Sequence, residues 1–189
     1  MSYLPDTSIA PWIHNLLAWS YDPTLASSST APSAGVLRVI KMPVPITMTF
    51  AKFWVDINVG GTGATSLANC YVGLYDSTGA RFATSADQSA AWATTGAKSA
   101  TLIVDGGKSL TVPGGPTTFV YGAFLVGQQS TTQVQHARSS TLTTGVNAGL
   151  SAGTDPLRFA TTGSGLTALP TSFTIASLAA EISYWCALA

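Results

Sequence analysis

Phe119-Val120-Tyr121-Gly122-Ala123-Phe124-Leu125-Val126 carries no charged residue and no polar side chain beyond one tyrosine hydroxyl. Aromatic and β-branched residues at this density favour a strand. A strand with one face in water alternates polar and apolar residues, and this one does not. It therefore reads as a strand covered on both faces, by a second sheet on one side and by the N-terminal segment or another subunit on the other. A chain organised around such a strand is layered, and the fold expected is all-β: a jelly-roll-like antiparallel β-sandwich with an extended N-terminal arm.

The flanking sequence supports that expectation. Pro113-Gly114-Gly115-Pro116 and Asp105-Gly106-Gly107-Lys108 are turn sequences on the N-terminal side of the strand. Asp76-Ser77-Thr78-Gly79 separates residues 69–75 from 80–84 and predicts a hairpin. Further strands are expected at 36–42, 46–58, 99–104, 109–112, 117–128, 132–137, 157–161, 171–178 and 182–188. Short strands at this spacing indicate a sandwich or jelly roll. The tetrapeptide Arg-Phe-Ala-Thr occurs at 81–84 and again at 158–161. It marks either equivalent strands of two related halves or a coincidence in a sequence rich in Ala and Thr.

Residues 1–34 read as a separate N-terminal attachment arm and 35–189 as the β-sandwich domain. Pro5, Pro11, Pro23 and Pro32 disfavour a regular ladder or helix there. The arm nevertheless carries Trp12, Ile13, Leu16, Leu17, Trp19 and Tyr21, an apolar load that a disordered tail lacks. Trp12, Leu16, Leu17 and Trp19 are the expected interface anchors, filling pockets on a partner or closing the chain's own sandwich.

Composition narrows the function. Charged residues make up 8% of the 189, with a formal net charge of zero and a single glutamate, Glu181. A typical soluble domain has about 25% charged residues. Without a basic excess, nothing holds a phosphate backbone or an anionic bilayer, so neither nucleic acid nor membrane is an expected partner. A chain near zero net charge lacks self-repulsion and tends to associate. A homo-oligomer is expected, with a trimer favoured. Residues 1–6 show neither the basic nor the apolar region of a signal peptide. Cys70 and Cys186 alternate in phase with apolar neighbours and are expected to be small buried hydrophobes rather than a bridge.

No catalytic pattern stands out, and the expectation is a non-enzymatic protein without cofactor or metal. Gly107-Lys108-Ser109 ends like a phosphate loop, but Leu102 stands where the motif needs glycine. His14 and His136 have no ligand-spaced neighbours, and Asp56, Asp76, Asp87, Asp105 and Asp155 are each isolated. His136 is expected at a strand edge or an interface.

Three stretches carry a resemblance. They are Leu16-Leu17-Ala18-Trp19-Ser20-Tyr21-Asp22-Pro23, then Tyr71-Val72-Gly73-Leu74-Tyr75-Asp76 with Thr84 to Gln88 and Ala91-Trp92, and finally residues 157–166 with Leu169-Pro170. Together they resemble β-sandwich modules from the virion surface of tailed phages that infect actinobacteria, of the minor-tail, tail-fibre and capsid-decoration type. The resemblance implies a phage structural protein on the particle surface, made in the host cytoplasm. Its implied partners are itself, other virion structural proteins and, for host adhesion, a cell-surface glycan. The matching residues are turns and core positions and bring no catalytic group with them. The chain lacks the shaft of a long fibre, which favours a capsid- or tail-decorating subunit. The competing expectation is a carbohydrate-binding β-sandwich module with Tyr75 and Trp92 as stacking platforms; a secreted actinobacterial surface protein is a third.

Overall fold

The computed structural model describes residues 10–143, 145–151 and 156–189. In chain order the strands are β1 (Ala18–Trp19), β2 (Ser28–Thr30), β3 (Leu37–Pro43), β4 (Met48–Thr49), β5 (Lys52–Val59), β6 (Ala68–Tyr75), β7 (Arg81–Thr84), β8 (Gly96–Thr101), β9 (Ile103–Val104), β10 (Thr111–Val112), β11 (Phe119–Gln128), β12 (Gln135–Ser140), β13 (Phe159–Thr162), β14 (Ala179–Ala180), β15 (Ser183–Tyr184) and β16 (Cys186–Leu188). One α-helical turn, α1 (Ser89–Trp92), lies between β7 and β8.

The strands form two principal antiparallel sheets. Sheet B runs β14-β13-β3-β11-β6-β7-β9, and sheet A runs β1-β16-β5-β12-β15, with β2 added on β12 and β8 on β5. A third, two-stranded sheet joins β4 to β10. The fold is thus the all-β sandwich that the sequence predicts. The chain crosses repeatedly from one sheet to the other, as from β3 to β5 and from β11 to β12, in jelly-roll fashion.

The stretch 119–126 is the middle of sheet B, paired with β3 on one side and β6 on the other. Val120, Phe124 and Val126 point into the core between the sheets, with Ile40, Met42, Phe53, Val55, Cys70, Val72 and Cys186. Gly122 points the same way, because a Cβ there would lie 2.2 Å from Met42 Cε and 2.8 Å from the Phe53 ring. Only a bare backbone lets those two side chains cross the centre of the strand. Both cysteines are buried and unbridged.

Tyr121, Ala123 and Leu125 point outward into a second cluster with Leu37, Val39, Leu169, Phe173 and Leu178. Both faces of β11 are therefore covered, as expected. The outer cover, however, is neither the arm nor another subunit. It is the chain's own segment 166–178, which was expected to contain a strand. That segment lies on the sheet face as an irregular strap with a 3-10 turn at Ile175–Ser177. The Tyr75 hydroxyl donates to Pro170 O at 2.9 Å, Arg81 N–H to Thr171 O at 2.9 Å, and Phe173 N–H to Gly79 O at 2.9 Å. Lying face-on rather than edge-on, its apolar residues fill a surface instead of extending a ladder.

The β6–β7 hairpin forms at the predicted turn. The Asp76 carboxylate accepts from the backbone N–H groups of Thr78 and Ala80 and from the Thr78 hydroxyl, and Gly79 takes φ +86°, a conformation that strains a side-chain-bearing residue. The two Arg-Phe-Ala-Thr segments both land in sheet B, two strands out from β11 on opposite sides: the first is β7, the second runs into β13. Their phenylalanines, Phe82 and Phe159, both enter the inner core.

Candidate functional site

The described part of the expected arm begins at Ala10; residues 1–9 lie outside the described residues. Pro11 starts a 3-10 turn through His14, and Asn15 at φ 56° ends it, with its N–H returning to the carbonyls of Pro11 and Trp12. Proline presets the φ of a first turn, and asparagine tolerates the left-handed region better than most residues. The turn is thus fixed locally, and it presents Trp12 and Ile13 outward, 63% and 51% exposed.

From Leu16 onward the chain joins sheet A. Leu17 N–H donates to Leu188 O and Ser20 N–H to Cys186 O, while the Ser20 hydroxyl accepts from Cys186 N–H. Ala18–Trp19 pairs with β16, and Ser28–Thr30 pairs with β12. Residues 16–30 are therefore edge structure of the sandwich, and no break in the fold separates them from the body of the chain.

The four expected anchors divide accordingly. Leu16 is buried in the inner core, so it faces inward and not toward a partner. Trp19 is half-buried against that core. Trp12 and Leu17 project outward. Together with Ala18, Trp19 and Met48 they line an apolar groove of about 380 Å³, whose far wall is Pro43, Pro45 and Ile46. Ile46 is 67% exposed. No lining residue is charged. The sequence reading missed the far wall because Ile46 looked like the start of a strand. Pro43 and Pro45 hold the segment off the ladder, since neither can donate a backbone hydrogen bond. The Pro-Val-Pro-Ile spacing was the signal: Val44 turns in and is fully buried, leaving Ile46 outside.

The expected glycan platforms are corrected. Tyr75 and Trp92 are essentially inaccessible, at 0% and 1% exposure. Tyr75 packs on Phe173, with ring centres 5.0 Å apart, beneath the strap. Trp92 sits on α1 with its ring edge-on to Phe124 and His136. Neither has a free face for a sugar.

His136 is corrected too. It lies at no edge or interface but in the core between the sheets, fully buried. Its ring stacks on Phe124 at 4.6 Å and lies 4.8 Å from Trp92, and neither ring nitrogen has a protein partner. Burial, with the nearby Arg38 charge adding to it, pushes its pKa from 6.5 down to about 3. Arg38 itself is buried, donating to Ser33 O and Val36 O and standing 3.7 Å from Glu181. His14 is exposed and packs beside Trp19, with ring centres 5.5 Å apart.

Among the described residues no three of His, Cys, Asp and Glu gather as metal ligands would, and no helix is long and apolar enough to cross a membrane. Asp155 lies outside the described residues. The chain matches no family model and no curated protein.

Proposed function

We propose that this chain is a non-enzymatic structural subunit of a phage virion surface, decorating capsid or tail, and that it joins copies of itself through the Trp12–Ile46 groove. One observation carries the assembly role: Trp12, Leu17 and Ile46, all exposed, converge on one uncharged groove. Large apolar side chains grouped this way on a surface usually mark an interaction site. Burying each contributes roughly 1.5–3 kcal/mol, and aromatic anchors often dominate an interface. The partner is a second copy because the molecule carries knob and groove side by side, and its zero net charge offers no repulsion to copies meeting. A homotrimer remains the favoured size. The virion setting rests on the resemblance of residues 16–23, 71–92 and 157–170 to phage surface modules, and host-surface adhesion is a further role in that setting.

Light scattering at micromolar concentration tests the assembly role. The wild-type chain should give a multiple of 19.4 kDa, and Trp12→Ala with Ile46→Glu should give the monomer with an unchanged fold by circular dichroism. A wild-type monomer, or an oligomer indifferent to both substitutions, overturns it. Labelling purified phage particles with antibody against the chain tests the setting.

A further inference from the structure

The largest described pocket, about 580 Å³, opens on the outer face of sheet B, near the start of β11. Its walls include Lys41, Phe119, Leu150 and Arg158, with Thr117 and Thr118 at the rim. The Lys41 ammonium stands 4.3 Å from the centre of the Phe119 ring, and the Arg158 guanidinium 5.3 Å from that of Phe159. The ion pairs among the described residues are Arg38–Glu181 and Arg81–Asp105, so neither pocket cation has a described carboxylate partner. In a chain with only eight lysines and arginines, two without a partner on one concavity form a local excess of positive charge.

We propose that this pocket binds an acidic saccharide, holding a uronate-type carboxylate between Lys41 and Arg158. A cation resting on an aromatic face is already partly ordered, so it loses less freedom when it meets an anion. A guanidinium adds the fork geometry suited to a carboxylate. The Phe119 edge and Leu150 offer apolar surface to the C–H face of a sugar ring, and the two threonine hydroxyls offer hydrogen bonds to its hydroxyls. The volume suits a small ligand and is too confined for a folded partner. The proposal gives the adhesion role a ligand class. It rests on that role for its setting and on the pocket alone for its chemistry.

Calorimetric titration of the full chain tests it, with a tetrasaccharide alternating glucuronate and N-acetylglucosamine as the probe. The same tetrasaccharide with its carboxyls reduced to alcohols is the control. Lys41→Ala and Arg158→Ala should each weaken binding about ten-fold, and carboxyl reduction should weaken it at least as much. Raising the salt should weaken the wild type more than either variant. No heat up to millimolar probe, equal affinity for the reduced form, indifference to both substitutions, or equal binding of a glutamate-rich peptide would each overturn the proposal. Neither substitution touches the groove lining, so particle size measured on the same samples reports assembly separately.

Discussion

Two apolar surfaces of this molecule meet different fates. The outer face of sheet B is sealed by the strap 166–178, which leaves Leu169, Phe173 and Leu178 at 6%, 9% and 4% exposure. The groove beside β1 has no such cover, and Trp12 and Ile46 stay 63% and 67% exposed. Side-chain chemistry is similar in both places. What differs is whether a later part of the chain returns to that face. The strap is pinned by backbone hydrogen bonds to the β6–β7 turn, whereas the groove stands between a proline-started turn and a proline-bracketed loop that hold each other apart. Sealed apolar surface stabilises the fold; open apolar surface is available for association.

The strongest way to separate sealed from open is acid. His136 belongs to the sealed interior, faced by Arg38 from β3 and Tyr184 from β15. Its folded pKa lies near 3 against an ordinary 6.5. The unfolded chain therefore takes up the proton first as pH falls, and the contribution of neutral His136 is fully present above pH 6.5 and is lost progressively toward pH 3. At 1.36 kcal/mol per unit, the loss is on the order of 4 kcal/mol at its full extent. Urea unfolding of wild type and His136→Leu at several pH values between 7 and 4 should show a shallower decline in the variant. Parallel declines would mean that the imidazole finds a partner on protonation.

Phe173→Ala removes the centre of the strap. Large-to-small changes at buried phenylalanines cost about 3–5 kcal/mol, and the value here should fall near the low end because the strap is the outer layer. Denaturant midpoints check this, and particle size should not change. A cost under 1 kcal/mol would show that the strap is loosely held and that the two surfaces differ less than their exposures indicate.

Gly79→Ala tests how the strap is pinned. At φ +86°, a Cβ there would lie 2.3 Å from the Phe173 carbonyl oxygen. Left-handed strain alone costs roughly 1–2 kcal/mol, and displacing the strap adds to it. Thermal unfolding should detect a total of about 2 kcal/mol, with faster amide exchange at Phe173, whose N–H bonds to Gly79 O. Exchange left unchanged would locate the strain in the turn alone.

Trp12→Ala should have the smallest effect on stability, within about 0.5 kcal/mol for an exposed side chain, while abolishing self-association. A cost of 2 kcal/mol or more in the monomer would place Trp12 with the sealed surfaces and remove the distinction.

The sequence by itself determined the class of fold and its centre. A strand apolar on both faces must be covered twice, because no sheet leaves such a surface in water, and the Asp76–Gly79 turn specifies its hairpin through local hydrogen bonds and one positive φ. Cys70 and Cys186 were readable as core from the period of their neighbours. Only the tertiary structure decided which segment does the covering. A strap lying face-on leaves the same apolar pattern as a strand, so residues 171–178 look alike in either role. Burial of Tyr75, Trp92 and His136 depends on chain returning from more than 40 positions away, as Tyr184 does over His136, and local pattern cannot report that. The arm shows the same divide within a few residues. Leu16 and Leu17 are adjacent and identical in chemistry, yet β1 pairs with β16 so that one points into the core and the other into the groove. Side-chain alternation along a strand is a local property; which of its two faces meets the core is set by the sheet that the strand joins.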